Sequence, residues 1–160
     1  MNEQFISGVT LSVLTNIFNV VSLKHKNINQ FYTGDSFDIA VNPQTKYPIA
    51  FLETPFNISY NDNGRTKDYQ FAYFILFKVR SDDNYDSNQK ISLAEDIGDA
   101  ILSKIDQDYK TVLRLRSVRC LTVDEFGDDY LAGVRYEMTG MVNRKYQITE
   151  CYEDQFDSGC

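Results

Sequence analysis

The sequence predicts an α+β fold, an antiparallel sheet of about four to six strands with an N-terminal helix and a second helix packed on it. Three observations carry that expectation. Two stretches repeat apolar residues at three-and-four spacing, several others alternate apolar with polar residues, and turn-forming residues separate them. The chain has 160 residues, of which 42% are hydrophobic, enough to fill one core and too few to fill two. A single domain over 1–145 followed by an acidic tail over 146–160 is the expected organisation.

Ile6, Val9, Val13, Ile17 and Val20, with Leu14 and Phe18 beside them, predict a helix from about Phe5 to Leu23. Lys24, His25 and Lys26 follow where positive charge favourably meets a helix C-terminus. Residues 27–46 read as a long connection with one short strand at Phe37, Ile39 and Val41, and as an arm that could order against a neighbour. Tyr47 to Thr54 predicts a strand, and Phe56, Ile58 and Tyr60 continue the alternation after Pro55. Pro55 has no backbone donor and so marks an edge, a bulge or a bend.

Asn61, Asp62, Asn63 and Gly64 supply a turn into the most strand-like segment, Tyr69 to Arg80. Phe71, Tyr73, Ile75 and Phe77 lie on one face of it and Ala72, Phe74 and Leu76 on the other, which predicts a central strand covered on both sides. Its second cover is expected to be a helix or a neighbouring subunit. Ser81 to Gln89 reads as a charged loop leading to a helix through Ala94, Ile97, Ile101 and Ile105. Ser92 and Glu95 have the spacing of a capping box there, and an earlier start near Ser87 is open. Gly98 inside that helix predicts close approach to a sheet. Thr111 to Val123 and Tyr130 to Arg144 form the closing hairpin around Asp124 to Asp129.

Chemistry is sparse. The lone histidine, His25, has cations on both sides and no carboxylate beside it in sequence, so it lacks the orienting partner of a working base. Asp82, Asp83 and Asp86, and Asp124, Glu125, Asp128 and Asp129, could offer oxygens to a hard cation, but neither group has the ligand order of an EF-hand. Gly64 and Gly127 stand alone and cannot cradle a phosphate. Cys120, Cys151 and Cys160 are irregularly spaced and read as free thiols, with Cys120 expected in the core. Arg114, Arg116, Arg119 and Arg135 could form a basic stripe, or pair across the sheet with acids. No catalytic, cofactor-binding or metal-binding residue is assigned, and no cofactor is expected.

A net charge of −7 disfavours tight binding to nucleic acid, while leaving non-specific contact with passing DNA open. With no apolar run near the roughly 20 residues of a membrane span and no signal-peptide pattern, a soluble intracellular protein is expected.

The N-terminal apolar stripe, the strand Tyr47-Pro48-Ile49-Ala50-Phe51-Leu52, the strand Phe71 to Arg80, the helix Leu93-Ala94-Glu95-Asp96-Ile97-Gly98-Asp99-Ala100-Ile101 and the closing hairpin together resemble the tail-terminator and tail-completion family of tailed bacteriophages. The likeness spans about Phe5 to Lys145 and lies in element order, without an invariant motif. An abundance of Asn, Asp, Tyr and Ile suits an AT-rich phage genome such as those of crAss-like phages. The resemblance implies a non-enzymatic virion protein of the neck or tail, made in the host cytoplasm. Its subunits would close into six-fold or twelve-fold rings around the DNA channel and contact other neck or tail proteins. A long 27–46 connection and a cysteine-containing tail depart from the family pattern. Two alternatives stand beside it: a small protein-binding adaptor, and a metal-dependent hydrolase using the Asp124 to Asp129 turn.

Overall fold

Residues 9–35, 44–61, 64–80, 83–124 and 130–144 are described by the computed structural model. In chain order they form helix α1 (Leu11–Lys24), strands β1 (Gln30–Gly34), β2 (Ile49–Glu53), β3 (Asn57–Asn61) and β4 (Thr66–Lys78), helix α2 (Asn84–Tyr109), and strands β5 (Leu113–Asp124) and β6 (Leu131–Asn143). The six strands make one sheet ordered β1-β2-β4-β6-β5, with β3 also paired to β4. Every pairing is antiparallel except that of β1 with β2. This is the expected α+β architecture.

Thr10 is extended and α1 begins after it, so Val9 lies outside the helix, and Ile6 falls outside the described residues. The buried line is Leu14, Ile17, Phe18, Val21 and Ser22, with Val13 and Val20 moved to its margins. Aromatic packing accounts for the rotation. Phe18 stands edge-on to Phe71 with centroids 5.4 Å apart, and tilted against Tyr73 at 5.0 Å. Helix α2 starts earlier than a Ser92 capping box would place it. The Asp83 carboxylate accepts from the Tyr85 and Asp86 amides at 3.1 Å, satisfying two of the free donors of the first turn. Ser92 and Glu95 are therefore mid-helix, and most of the expected 81–89 loop is helical.

The 27–46 connection is not wholly an arm. Its residues Gln30–Gly34 are β1, paired in register with β2, whereas Phe37, Ile39 and Val41 lie outside the described residues. Pro55 divides one long run into β2 and β3. Leu52 faces Tyr73 and Asn57 faces Gln70, so the run advances five residues while β4 advances three, and the excess bulges out around the proline.

Central strand β4 is covered on both faces, as expected. Phe71, Tyr73 and Ile75 meet the helices, while Ala72, Phe74 and Leu76 form a second cluster with Ile49, Phe51 and Leu131. That second cluster is already buried within the single chain, so no neighbouring subunit is needed to cover it. Arg135 closes part of it, its guanidinium lying 5.2 Å from the Phe74 ring centroid and in ion-pair contact with Glu53 at 3.4 Å and Glu137 at 3.3 Å.

Two tyrosines hold the helices to the sheet. Tyr73 and Tyr136 are direct cross-strand partners on β4 and β6. The Tyr73 hydroxyl and Ser22 Oγ of α1 are hydrogen-bonded at 2.8 Å, both residues fully buried. The Tyr136 hydroxyl reaches α2, donating to Asp99 Oδ1 at 2.8 Å with the Glu95 carbonyl oxygen at 3.0 Å. Gly98 permits that approach, because a Cβ there would stand less than 3.0 Å from the Tyr136 ring and hydroxyl. The close contact with a sheet expected at Gly98 is thus observed.

Replacing Gly98 with Ala forces Tyr136 or α2 to move, and urea unfolding should record a loss of about 1–3 kcal/mol despite the better helix propensity of Ala. Burial pushes the Tyr73 phenol well above its usual value, with the Ser22 bond acting in the opposite sense; burial and then the Asp99 carboxylate do the same to Tyr136. Below about pH 10 both phenols are neutral in folded and unfolded chains alike, and above it only the unfolded chain ionises them. Stability should fall as pH rises past 10, by up to about 1.4 kcal/mol per pH unit for each group. The Tyr73→Phe/Tyr136→Phe variant should show a correspondingly flatter profile in urea melts between pH 8 and 11.

Candidate assembly surface

The residues that sequence reading picked out for chemistry are scattered. His25 follows α1, where its backbone amide donates to the Ser22 carbonyl and its Nδ1 accepts from the Asn27 amide at 3.2 Å, so its ring shapes a turn. It borders a shallow space of about 250 Å³ between α1 and α2 together with Lys24 and Lys104. Asp83 and Asp86 serve the start of α2, Asp86 accepting from the Arg80 amide, and Asp124 accepts from buried Ser87 at 2.7 Å. Asp82, residues 125–129, Cys151 and Cys160 lie outside the described residues. Among the described residues no group of three His, Cys, Asp or Glu side chains could hold a metal ion, and no helix is long and apolar enough to cross a membrane. Gly64 occupies the turn before β4 with a φ of 78°, and its carbonyl accepts from Arg144.

Cys120 is exposed, contrary to the expectation of a core position. It lies on β5, the outer strand of the sheet, where of the whole strand only Leu113 is buried. Its side chain shares a face with its partner Tyr136, toward α2. Partial burial pushes the thiol up, the neighbouring Tyr136 hydroxyl pulls it down, and the charges of Glu95 and Asp99 push it up further. Such a thiol is a weak nucleophile.

What the structure does assemble is a pair of unlike sheet edges. On one side β5 carries Arg114, Arg116 and Arg119, all exposed and, among the described residues, without an ion-pair partner. Alternation alone would send Arg119 to the opposite face from Arg116. One extra residue at Ser117/Val118, with Ser117 at φ 52°, resets the register, so that Arg116 faces Thr139 and Arg119 faces Glu137 on one face. Arg135 takes the other course anticipated for the arginines and pairs with acids across the sheet. Lys110, Arg114 and Arg116 line an open groove of about 700 Å³. Above the other face of β5, α2 presents Asp99 and Asp106 beside Leu102, Leu115 and Val118.

The opposite side of the sheet ends in β1 at one end and in β3 at the other, and sequence reading did not mark β3 as exposed. Phe56, Ile58 and Tyr60, which precede or belong to it, alternate as core residues would, yet they are 64%, 44% and 60% exposed. They share the helix-bearing face of the sheet, since Ile58 is opposite Tyr69, but β3 extends past β1 and the Pro55 bend carries it beyond the core. A proline dividing an alternating run was the one signal available.

No family model and no curated protein matches this chain. In a Cys151→Ser/Cys160→Ser variant, Cys120 should react with iodoacetamide at pH 7.5 several-fold more slowly than free cysteine, with a rate that is still rising with pH where that of free cysteine has levelled off; equal or faster alkylation would contradict the raised thiol.

Proposed function

We propose that this chain is a non-enzymatic structural subunit of a bacteriophage neck or tail, one of several copies that close into a ring around the DNA channel. The observation that carries the reading is the pair of unlike edges at opposite sides of one sheet, β3 and β5, neither of them paired on its outer side among the described residues. At the end where β3 lies, the strands run β3-β4-β6-β5, which puts the two edges about 15 Å apart at the usual strand spacing. An open edge is a row of unpaired amides and carbonyls ready to pair with another chain. Unlike edges on opposite sides favour head-to-tail contact, which closes into a ring when the rotation between copies permits it.

Element order supports the same reading: an amphipathic helix, short strands, a long central strand, a second helix and a closing hairpin are what the resemblance to tail-terminator and tail-completion proteins requires. The net charge of −7 suits a channel through which DNA must pass without adhering. Burial of Ala72, Phe74 and Leu76 within the chain removes the doubly apolar strand as an argument for a neighbour, and the edges take its place. On this reading the partners are further copies, other neck or tail proteins and, non-specifically, DNA. The site is the virion, with assembly in the host cytoplasm, and no cofactor is required.

Native mass measurement and negative-stain imaging of the purified protein, alone and with neck or tail proteins, should reveal closed rings of uniform diameter. A strict monomer that joins no ring under either condition overturns the proposal.

A further inference from the structure

We infer that the contact between copies is one continuous antiparallel ladder, in which β5 of one subunit pairs with β3 of the next at the level of Leu113–Arg116. The inference rests on the ring reading above and specifies its interface.

Topology sets the direction. Strand β3 runs antiparallel to β4, β4 to β6 and β6 to β5, so β5 runs antiparallel to β3 and stays so when a copy is placed beside its neighbour in the same orientation. Level follows from the rows of the sheet. Ile58 lies in one row with Tyr69, Gly140 and Leu115, and Ser59 lies in the next with Asp68, Met141 and Arg114. With the strands set parallel to the ring axis, these rows meet end to end: Ile58 faces Leu115 of the next copy and Ser59 faces its Arg114. Shifts by two residues preserve the faces, whereas a shift by one would put Ile58 among the arginines.

Both faces gain by this arrangement. On the helix side, exposed Ile58 comes against Leu115 at the apolar wall of the α2–β5 crevice, and Tyr60 falls at the level of Leu113. On the other side, Arg114 and Arg116 reach a face of the β3–β4 ribbon whose one charged side chain is Asp68. The Asn57 side chain, which donates its Nδ2 to Gln70 Oε1, lies on the same face and carries an acceptor oxygen. Pairing of β5 with a second β5 is disfavoured, since it would bring the arginines of two copies onto one face and the Ser117 bulge would interrupt the ladder.

The test uses disulfide trapping in the full chain with Cys120, Cys151 and Cys160 replaced by Ser. Under mild oxidation, Ile58→Cys/Leu115→Cys should give a ladder of covalent oligomers up to the ring size, and neither single variant should cross-link. Independently, Arg114→Glu/Arg116→Glu should retain the wild-type circular dichroism spectrum but require at least tenfold more protein for half-assembly. Rings that form without the 58–115 cross-link, or that tolerate the charge reversal, overturn this interface and leave the ring reading standing. A single Leu115→Cys or Ile58→Cys variant that dimerises identifies like-to-like edge pairing and likewise overturns it. If the wild-type chain never assembles, the ring reading fails, and the interface with it.

Discussion

Both helices depend on one row of the sheet. Tyr73 and Tyr136 stand side by side on β4 and β6, and each sends its hydroxyl to a different helix, Tyr73 to Ser22 of α1 and Tyr136 to Asp99 and the Glu95 carbonyl of α2. A phenol inside an apolar layer is costly unless its hydroxyl is paired, so each bond fixes where along its helix contact is made. Apolar burial supplies the attraction between layers without selecting a register. The hydroxyls select it, and Gly98 opens the space that lets α2 accept the selection.

The same arrangement leaves the ends of the sheet uncovered. Two helices docked over the middle of one face protect β4 and β6, while the opposite face is closed at its apolar end by packing around Phe74 and by Arg135 between two glutamates. Neither cover extends to β3 or to the exposed residues of β5. Natural sheets often blunt such edges with charge and bulges, and β5 has both. Strand β3 carries no charge and has a bulge only before it, at Pro55, and it shows apolar and aromatic side chains to solvent. The asymmetry between a guarded edge and an unguarded one favours joining unlike edges over joining like ones.

Charge follows the same division. The acids of α2 outnumber its lysines six to two and concentrate negative potential on the helical layer, while three arginines without ion partners among the described residues sit on the far face of the adjacent strand. Exposed, unpaired arginines contribute little to the stability of one chain and remain available to a partner, which is where their planar donor arrays are most effective.

Local pattern by itself determined the two helices, the central strand, the closing hairpin and the interruption at Pro55, because periodicity, turn chemistry and a missing amide donor act over a few residues. Gly98 was legible as a close approach for the same reason. Only the tertiary structure decided which of two overlapping stripes on α1 is buried, because Phe18 had first to meet Phe71 and Tyr73. It also made a strand of Gln30–Gly34, whose parallel partner lies 19 residues away in sequence. The assembly surface was half legible. Arg114 and Arg116 share a face by simple alternation, but Arg119 joins them through a bulge that no local pattern announces, and Cys120 is exposed because β5 is outermost. Phe56, Ile58 and Tyr60 alternate and yet are exposed, because alternation reports which residues share a face, and whether anything covers that face is settled only by where the rest of the chain goes.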